Sequence, residues 1–568
     1  MKIKNIRIQK FRAIKSAEIQ VDQELALVGQ NSSGKSSILR ALNSFFNFES
    51  EKAYFELSRH SYSNTSTAII EIEFDDTPAA VDIPRVSPNS NNVKIRLKYK
   101  RTAVWNVFSN GQWITAPPNL HIEIKKAVHY VYVPLQRDHH ISGWGDQGLL
   151  KRAVEAWVRK QISKRDTISP KVEELSKTIK SRAFDGLSKQ LRKITPMNGA
   201  FTFHLDYTTA PDYSLLLRDL VLRVSEGATQ VDLEDCGSGT QSMTAFALYS
   251  YLAELEGSTY ILGIEEPEQN LHPQAQRELL ANLRKLPLQI IFTTHSTVML
   301  DELKHDEVVL CRKTNSSVRG VEVTTTQLKS SFWSTHLLDK DRYYQFHKRR
   351  NSEFFFSNFI ILTESPIDSE IIRVLLSKAN IDLNSSSVSI LSLDGVQSLP
   401  YAFHLLNALN LDFATVVDKD YFLPYLNDEL DASRDNGGFP KYRKQYQTST
   451  LIESMVPDAT ARNLLLGLMI SNHSKAMDIL EKSNVFCFKW SLDIDLINST
   501  TVRQTLYKNL NVPANEQNTT GLLVSRKKMI KKLETLLPLV QAIQPSNLPN
   551  SYNRLRKVLP QLIKKASE

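Results

Sequence analysis

An eight-residue run at positions 29–36, Gly-Gln-Asn-Ser-Ser-Gly-Lys-Ser, constrains the fold of this chain more than any other feature. It follows an apolar stretch at 25–28 and precedes a helical pattern at 37–46, which is the strand, loop and helix order of a P-loop. A glycine turn that only caps a helix would not require the lysine and the serine. The run therefore predicts an α/β domain that binds ATP and Mg²⁺ through Gly29, Asn31, Gly34, Lys35, Ser36 and Ser37.

Composition sets the broad class of protein. The 568 residues suffice for two to four domains, and 41% hydrophobic with 23% charged residues is typical of a globular protein. No uninterrupted apolar stretch approaches the roughly 18 residues of a membrane span, and the amino terminus does not open a secretory signal. Three scattered cysteines, Cys236, Cys311 and Cys487, do not form a disulfide framework or a zinc site. We therefore expect a cytoplasmic protein with no membrane segment.

The positive charge is concentrated in one helical stretch. Net charge is +9, and residues 151–195 contain thirteen Lys or Arg against five Asp or Glu. Apolar residues in this stretch recur at helical spacing, and Ser169-Pro170 divides it into two predicted helices. The stretch is either a nucleic-acid contact surface, a dimer arm, or a solvated hairpin whose charge only aids solubility.

Acidic and glycine-rich positions downstream add to the predicted ATP site. Glu265 and Glu266 end the apolar strand at 260–264, where they would contact Mg²⁺ through water and orient the attacking water. Acids can also simply favour the start of the next helix. His295 ends another apolar strand, a position that alone is more often structural. A glycine-rich turn that heads a helical run, and suits a phosphate, contains Ser238, Gly239 and Gln241.

A second set of acids follows strands in the carboxyl-terminal half. Glu364 and Asp368 come directly after the predicted strand at 359–363, and Asp418 and Asp420 follow the strand at 413–417. Carboxylates at the ends of two parallel strands can converge on one or two Mg²⁺ ions, which prefer oxygen ligands. Two such metals would clamp the attacking and leaving oxygens of a phosphodiester. Singly, each acid would more commonly be a surface loop residue.

The ATP-site motifs resemble those of ABC-type ATPase heads of the SMC and RecF group. Residues 29–36 match the Walker A motif, Ser238, Gly239 and Gln241 the signature motif, and His295 the switch histidine. Gln136 matches the Q-loop, and Glu265 and Glu266 match the Walker B end, although the first acid is usually Asp in that group. The resemblance implies a homodimer that sandwiches two ATP molecules, or a tetramer if the helical stretch builds one.

The second set of acids resembles a Toprim domain, with Glu364 as its first-strand glutamate and Asp418 with Asp420 as its DxD motif. Ser365 stands where that family often has glycine. An ABC head followed by a Toprim domain is similar to the OLD (overcoming lysogenization defect) family of nucleases. That resemblance implies a further acidic cluster, for which Asp493 and Asp495 are the best match and Glu453 a weaker one. It also implies a catalytic lysine, either Lys527 or Lys528.

These observations predict an α/β protein with ATPase parts at 1–148 and 197–329, a helical dimerisation insertion at 149–196 and a linker at 330–357. A Toprim nuclease domain with helical additions occupies 358–568. The alternation of Ile3, Ile6 and Ile8 also suggests an edge strand beside the P-loop strand.

The OLD resemblance implies a DNA endonuclease that uses Mg²⁺, or Mn²⁺ or Ca²⁺, under the control of ATP. It places that nuclease in anti-phage defence of the Gabija or retron type. The nuclease would work alone, with a helicase-like subunit, or with a reverse transcriptase and its noncoding RNA and DNA. The alternative is a RecF-like DNA-repair ATPase with a non-catalytic second domain. A primase or topoisomerase is disfavoured.

Overall fold

The structure of the chain is a computed structural model. It describes residues 1–134, 149–161, 183, 185–194, 201–207, 220–226, 229–317, 320–339, 346, 351–427, 433–448 and 450–567. The chain divides into two units, Met1–Leu328 and Lys329–Glu568. Within the described ranges, none of the helices combines the length and the apolar character needed to cross a bilayer.

A mixed sheet of twelve strands organises the amino-terminal unit, in the order β7-β6-β5-β4-β1-β2-β15-β14-β3-β13-β12-β8. Its strands are β1 Lys2–Phe11, β2 Ile14–Gln20, β3 Glu24–Val28, β4 Ala68–Asp75, β5 Val93–Tyr99, β6 Ala103–Ser109, β7 Gln112–Thr115, β8 Val128–Val133, β12 Thr259–Glu265, β13 Leu288–Thr293, β14 Val308–Ser316 and β15 Gly320–Gln327. A separate antiparallel sheet contains β9 Phe201–Tyr207, β10 Leu220–Glu226 and β11 Thr229–Asp232.

The strands that matter for the ATP site are parallel and apolar along their length. β3 pairs in parallel with β13 and β14, and β12 pairs in parallel with β13 and β8. Every residue of β3 and β13 is buried, which is the pattern of strands covered on both faces. Because parallel strands end at the same edge, the segments after β3, β12 and β13 meet there.

Helices cover this sheet and include two in the predicted insertion. They are α1 Lys35–Phe46, α2 Phe48–Glu56, α3 Leu120–Ala127, α4 Leu149–Gln161, α5 Asp185–Ile194, α6 Ser238–Glu256, α7 Pro273–Leu283 and α8 Thr297–Leu300. Both α4 and α5 pack against α6. The rest of the predicted insertion, including the Ser169-Pro170 break, lies outside the described residues.

The carboxyl-terminal unit has a parallel sheet in the order β17-β16-β18-β19, formed by β16 Phe359–Thr363, β17 Val388–Ser392, β18 Phe413–Val417 and β19 Val485–Cys487. Its helices are α9 Phe332–Thr335, α10 Pro366–Lys378, α11 Leu399–Ala408, α12 Ile452–Met455, α13 Ala459–Ser471, α14 His473–Leu480, α15 Leu492–Ile497, α16 Thr500–Asn509, α17 Lys527–Ile530, α18 Leu533–Ala542 and α19 Asn550–Ser567. α18 and α19 pack on α10 and extend one apolar core from the sheet into the helical region.

The predicted α/β class is confirmed, but the expected place of the first strand is wrong. β1 lies between β4 and β2, and three strands separate it from the P-loop strand β3. Phe11 pairs with Ile14 across a tight turn, so β1 and β2 form an antiparallel hairpin. Alternation of apolar residues identifies a strand with one buried face, but it does not specify the neighbouring strand.

Candidate functional site

The P-loop has the backbone geometry that its glycines permit. Gly29 has φ of 134° and Gly34 has φ of 90°. A Cβ on Gly29 would lie 2.1 Å from the carbonyl oxygen of Cys311, so a larger residue does not fit. The Nζ of Lys35 donates to the carbonyl oxygens of Gly29 and Gln30, both at 2.9 Å. The lysine is therefore folded onto its own loop.

The other loop positions differ in accessibility. Asn31 and Ser36 are exposed, and Ser37 is half-buried at the start of α1. The Ser37 N–H donates to the carbonyl oxygen of Gly34 at 2.9 Å, which begins the helix directly after the loop. The exposed serine hydroxyl at Ser36 is thus free to approach a ligand at the amino end of α1, where the helix dipole favours an anion.

Lys35, Glu266 and His295 share one environment. The Nε2 of His295 lies 3.8 Å from Oε1 of Glu266. Burial lowers the pKa of Lys35, and the charge of Glu266 opposes that shift. Burial also lowers the pKa of His295, as does the charge of Lys35. Three strand ends thus bring together a cation, a carboxylate and an imidazole that the sequence assigns to separate motifs.

Glu268 holds the segment that contains His295. The Thr294 hydroxyl and the His295 N–H donate to Oε1 of Glu268 at 2.7 and 2.9 Å. Glu268 is buried, and burial raises its pKa. No role was predicted for Glu268 from the sequence. Its position two residues after Glu266 is the signal that could have identified it.

Glu265 has a partner that the sequence did not reveal. The Tyr132 hydroxyl donates to Oε1 of Glu265 at 3.0 Å, and the guanidinium of Arg40 lies 4.5 Å from the centre of the Tyr132 ring. Burial and the charge of Glu265 raise the pKa of Tyr132, so it remains a donor. The structure therefore fixes Glu265 through β8, the neighbour of β12.

The predicted signature residues lie at the start of α6, which begins at Ser238. A Cβ on Gly239 would lie 2.5 Å from Cδ2 of Leu271, so this turn is closely packed. The Gln241 side-chain amide donates to the carbonyl oxygen of Cys236 at 3.0 Å. Gln136, the predicted Q-loop residue, lies outside the described residues.

In the carboxyl-terminal unit the predicted acids of two adjacent strands meet. Glu364 follows β16 and Asp418 follows β18. The backbone N–H of Asp418 donates to Oε1 of Glu364 at 2.8 Å. The N–H of Leu492, at the start of α15, donates to Oδ1 of Asp418 at 2.9 Å. Each carboxylate is thus oriented by one backbone donor and retains a second oxygen.

The acids around this point are mutually repulsive; Asp493 is buried and the others are partly buried. Burial, together with the charges of Asp420 and Asp368, raises the pKa of Glu364 to about 8. Burial likewise raises the pKa of Asp368 to about 6, with a contribution from Asp493. The pKa values of Asp418 and Asp420 are also raised by burial and by neighbouring carboxylates. We call these five residues, Glu364, Asp368, Asp418, Asp420 and Asp493, the acid cluster.

The two later acids have different surroundings. Asp493 accepts from the Ser491 hydroxyl at 2.6 Å and influences the acid cluster. Asp495 accepts from the backbone N–H groups of Lys489 and Trp490 at 2.8 and 2.9 Å, and from the Ser551 hydroxyl at 2.6 Å. Asp495 is therefore saturated with donors that tie the β19–α15 connection to α19.

A lysine that sequence reasoning missed faces the acid cluster. The Nζ of Lys531 lies 3.9 Å from Oδ1 of Asp493. Burial alone would lower the pKa of Lys531, but Asp493, Asp418 and further carboxylates raise it. Of the two lysines named from the sequence, Lys527 lines a cavity beside Asp493, and Lys528 is exposed. Lys531 follows Lys527 by four residues, but Lys528 and Lys532 have the same spacing, so the sequence alone does not single it out.

The acid cluster fits a divalent cation by its chemistry. Within the described part of the chain, no three His, Cys, Asp or Glu side chains already form a metal site. The carboxylates nonetheless raise one another's pKa, and bound divalent charge would offset that repulsion. Oxygen-only donors are those that Mg²⁺ and Mn²⁺ prefer.

Comparison with protein-family models gives two informative matches and one to a protein of unknown function. Residues 1–111 and 142–300 match an AAA ATPase domain. Residues 355–420 match the Toprim domain described as overcoming lysogenization defect protein-like. Residues 252–351 match the model of unknown function. The two informative matches contain the P-loop and the first four members of the acid cluster.

Three curated relatives are nucleases by name. The Old nuclease of Escherichia phage P2 is 30% identical over 206 residues, which is 34% of each chain. The OLD nuclease of Thermus scotoductus is 21% identical over 74% of this chain and 82% of its own. Endonuclease GajA of Bacillus cereus is 22% identical over 74% of this chain and 75% of its own. A solved SMC head bound to a ScpA domain shares 16% identity, with a TM-score of 0.43 over 58% of this chain and 99% of that one.

Proposed function

We propose that the chain, which matches an AAA ATPase domain and an OLD-like Toprim domain, is a nuclease of the OLD family, and that it is a Mg²⁺-dependent DNA endonuclease controlled by ATP. One observation carries the proposal. Glu364 and Asp418 lie at the ends of adjacent parallel strands, joined by a 2.8 Å hydrogen bond, within a cluster of partly buried carboxylates. Nothing in a stable core requires this concentration of like charge.

Each member of the site has a role in phosphodiester hydrolysis. The acid cluster would hold one or two divalent cations, Mg²⁺ first and Mn²⁺ or Ca²⁺ as alternatives. Such cations supply charge that activates water and stabilises the phosphate oxygens. The water oxygen forms a bond to phosphorus as the bond to the leaving sugar oxygen breaks. Lys531 stabilises charge on the phosphate in place of Lys527 or Lys528.

ATP acts as the control element in this proposal. Lys35 and Ser36 would hold the phosphates and Mg²⁺, while Glu265, Glu266 and His295 would serve metal binding and hydrolysis. Two heads would close on ATP, each P-loop facing the Ser238–Gly239 turn of a second copy, so the active form is a homodimer or a tetramer. The turn at a helix start and the exposed P-loop serine support this.

The setting is part of the same proposal. We place the protein in the cytoplasm, since its three cysteines are free thiols. Its role is anti-phage defence, which the relationship to GajA makes plausible. A helicase-like subunit, or a reverse transcriptase with its noncoding RNA and DNA, is the partner that the family suggests, and the neighbouring genes would identify it.

A plasmid cleavage assay tests the proposal directly. Supercoiled DNA is incubated with Mg²⁺, Mn²⁺ or Ca²⁺, each with no nucleotide, ATP or a nonhydrolysable ATP analogue. We expect nicked or linear product only with a divalent cation, and a nucleotide-dependent change in rate. Asp418→Ala should abolish the product, while Asp382→Ala, in an exposed turn that precedes β17, should not. Undiminished cleavage by Asp418→Ala would refute the assigned role.

A further inference from the structure

The chain that follows Asp420 doubles back against the acid cluster and carries positive charge. Residues 436–452 contain Lys441, Arg443 and Lys444 and no Asp or Glu. We call residues 439–448 the basic segment. It was not assigned a role from the sequence, because three cations within four positions are too few to stand out in a lysine-rich chain.

Backbone hydrogen bonds hold the basic segment beside the acid cluster. The Leu426 N–H donates to the carbonyl oxygen of Lys441, and the Arg443 N–H donates to that of Pro424, both at 2.9 Å. These bonds pair the segment with the chain that leaves Asp420. The path of the segment is therefore set by the main chain, and its charged side chains are not needed to maintain it.

Side chains connect the basic segment to the DxD motif itself. The Gln447 amide donates to the backbone carbonyl of Asp420, and the Tyr425 hydroxyl hydrogen-bonds to the Asp420 carboxylate. The rings of Tyr425 and Tyr442 stack with centroids 5.0 Å apart, and Nζ of Lys419 lies 4.8 Å from the centre of the Tyr442 ring. The basic segment thus contacts both Lys419, which lies between the two acids of the motif, and Asp420, which ends it.

Three cations of this region are exposed to solvent. Lys441 and Lys444 are exposed, as is Lys489, whose Nζ lies 4.2 Å from the Trp490 ring. Trp490 in turn stacks on Phe439 at 4.2 Å between ring centroids. Both rings are buried, so they form a packed base beneath the exposed cations, and exposed cations are the groups that contact the phosphates of a nucleic acid.

A polyanionic substrate needs such a surface. The acid cluster repels phosphate, so DNA reaches it only if flanking phosphates are held by cations, and phosphate contacts of this kind position a strand without reading its sequence. We propose that the basic segment binds the sugar-phosphate backbone of duplex DNA next to the cleavage site, with Lys441 and Lys444 as its phosphate contacts. This inference rests on the proposed endonuclease function.

Binding of a labelled duplex to the full-length chain tests the inference. A fluorescent duplex of about 30 base pairs, without divalent cation so that it stays intact, is titrated at several salt concentrations. Lys441→Glu with Lys444→Glu should weaken binding about tenfold or more and reduce the slope of log affinity against log salt by about two. The double variant Lys441→Ala with Lys444→Ala should lower the affinity and the salt slope in the same direction, but by less. It serves as the test if charge reversal disturbs folding.

Lys482→Glu is the matched control. Lys482 is exposed and precedes β19, at the edge of the same sheet opposite the acid cluster. It is compared with the single variant Lys444→Glu, which has the same change in charge; Lys444→Glu should weaken binding, and Lys482→Glu should leave affinity and salt slope unaltered. Stabilisation by Mn²⁺ should be the same in all variants, because none touches the acid cluster.

The outcomes separate this inference from the nuclease proposal. One outcome is that the two double variants of Lys441 and Lys444 both bind duplex with wild-type affinity and salt slope while Asp418→Ala abolishes cleavage. In that case the basic segment is not the DNA contact, and the nuclease function stands. An equal loss of binding in Lys482→Glu would also overturn the inference, since net charge alone would then explain it. If the wild-type protein neither binds nor cleaves DNA under any metal and nucleotide condition, the nuclease proposal itself fails.

Discussion

The Tyr132 hydroxyl donates a hydrogen bond to Oε1 of Glu265 across 3.0 Å, joining strand β8 to the end of β12. Glu265, which is predicted to contact Mg²⁺ through water, has one more rotatable side-chain bond to fix than an Asp would have. The hydroxyl of Tyr132, on the neighbouring strand, restricts that rotation. The guanidinium of Arg40 packs over the Tyr132 ring and so fixes the position of the tyrosine.

Tyr132→Phe is expected to weaken Mg²⁺-dependent ATP binding while leaving the fold intact. Loss of an outer partner of a metal-binding carboxylate typically costs about 10- to 100-fold in metal affinity. Binding of a fluorescent ATP analogue, titrated with Mg²⁺, should therefore require about tenfold more metal for half-saturation. An unshifted Mg²⁺ titration would show that the hydroxyl does not position Glu265.

Tyr130→Phe supplies the control on the same strand. The buried Tyr130 hydroxyl donates to the carbonyl oxygen of Leu39 at 3.0 Å and belongs to the core rather than to the predicted site. Its removal should lower the free energy of unfolding by about 1 kcal/mol. The Mg²⁺ dependence of nucleotide binding should stay unchanged, which distinguishes a positioning role from general packing.

Lys35→Ala should reduce ATP affinity by at least about tenfold, because a charge-assisted contact to phosphate is lost. Nζ of Lys35 now bonds two loop carbonyls and would exchange them for phosphate oxygens. Isothermal calorimetry measures the change. Lys313→Ala removes a nearby exposed cation that lowers the pKa of Lys35, and it should retain near wild-type affinity. Equal ATP affinity in Lys35→Ala and wild type would contradict the P-loop assignment.

Strands buried on both faces could be predicted from the sequence, whereas strands defined by pairing could not. The predicted strands at 359–363 and 413–417 have those bounds in the structure, because a short apolar run between polar ends has few alternatives. β15, Gly320–Gln327, is rich in threonine and mostly not buried, so only its pairing with β14 makes it a strand. Its pattern carries no strong local signal.

The same distinction applies to the candidate site. Glu364 and Asp418 follow predicted strands directly, so parallel pairing alone brings them together. Lys531 lies in a helical region whose path depends on packing against distant helices, and a lysine-rich sequence gives no local reason to prefer it. Tyr132 was missed because strand alternation indicates which face a residue occupies, but not which side chain it meets.

Asp418→Asn separates the metal role of the acid cluster from folding. The amide oxygen can still accept from the Leu492 N–H, and the substitution removes one buried like charge. Without metal, the free energy of unfolding should be unchanged or higher by about 1 kcal/mol. Mg²⁺ or Mn²⁺ should raise the melting temperature of the wild type and not that of the variant, as followed by differential scanning fluorimetry.

Asp495→Asn is the contrasting substitution. Both of its carboxylate oxygens accept hydrogen bonds, from two backbone N–H groups and a serine hydroxyl, so an amide nitrogen would face a donor. We expect a loss of about 2–4 kcal/mol in the free energy of unfolding, with metal-dependent stabilisation retained. If Asp495→Asn loses the metal response and keeps its stability, Asp495 belongs among the metal ligands and the distinction drawn from its hydrogen bonds is wrong.

The buried imidazole of His473 should make the stability of the chain depend on acidity. Nε2 donates to the carbonyl oxygen of Cys487 at 3.0 Å, and Nδ1 has no partner among the described residues. Burial lowers the pKa of His473 to about 3, with the cations Lys419, Lys489 and Arg554 adding to the shift. The folded protein therefore resists protonation at a site that the unfolded chain protonates near pH 6.5.

The direction of the effect follows from linkage. Because the folded pKa lies below the unfolded one, the stabilisation from neutral His473 is complete above about pH 6.5 and is lost as the pH falls towards 3. Urea unfolding of wild type and His473→Gln at pH 7.5 and pH 5 isolates this contribution. Gln keeps an N–H donor for Cys487 but does not titrate. Between the two pH values the free energy of unfolding of His473→Gln should therefore fall by about 1–2 kcal/mol less than that of the wild type. Identical losses in both proteins would mean that His473 is protonated in the folded state.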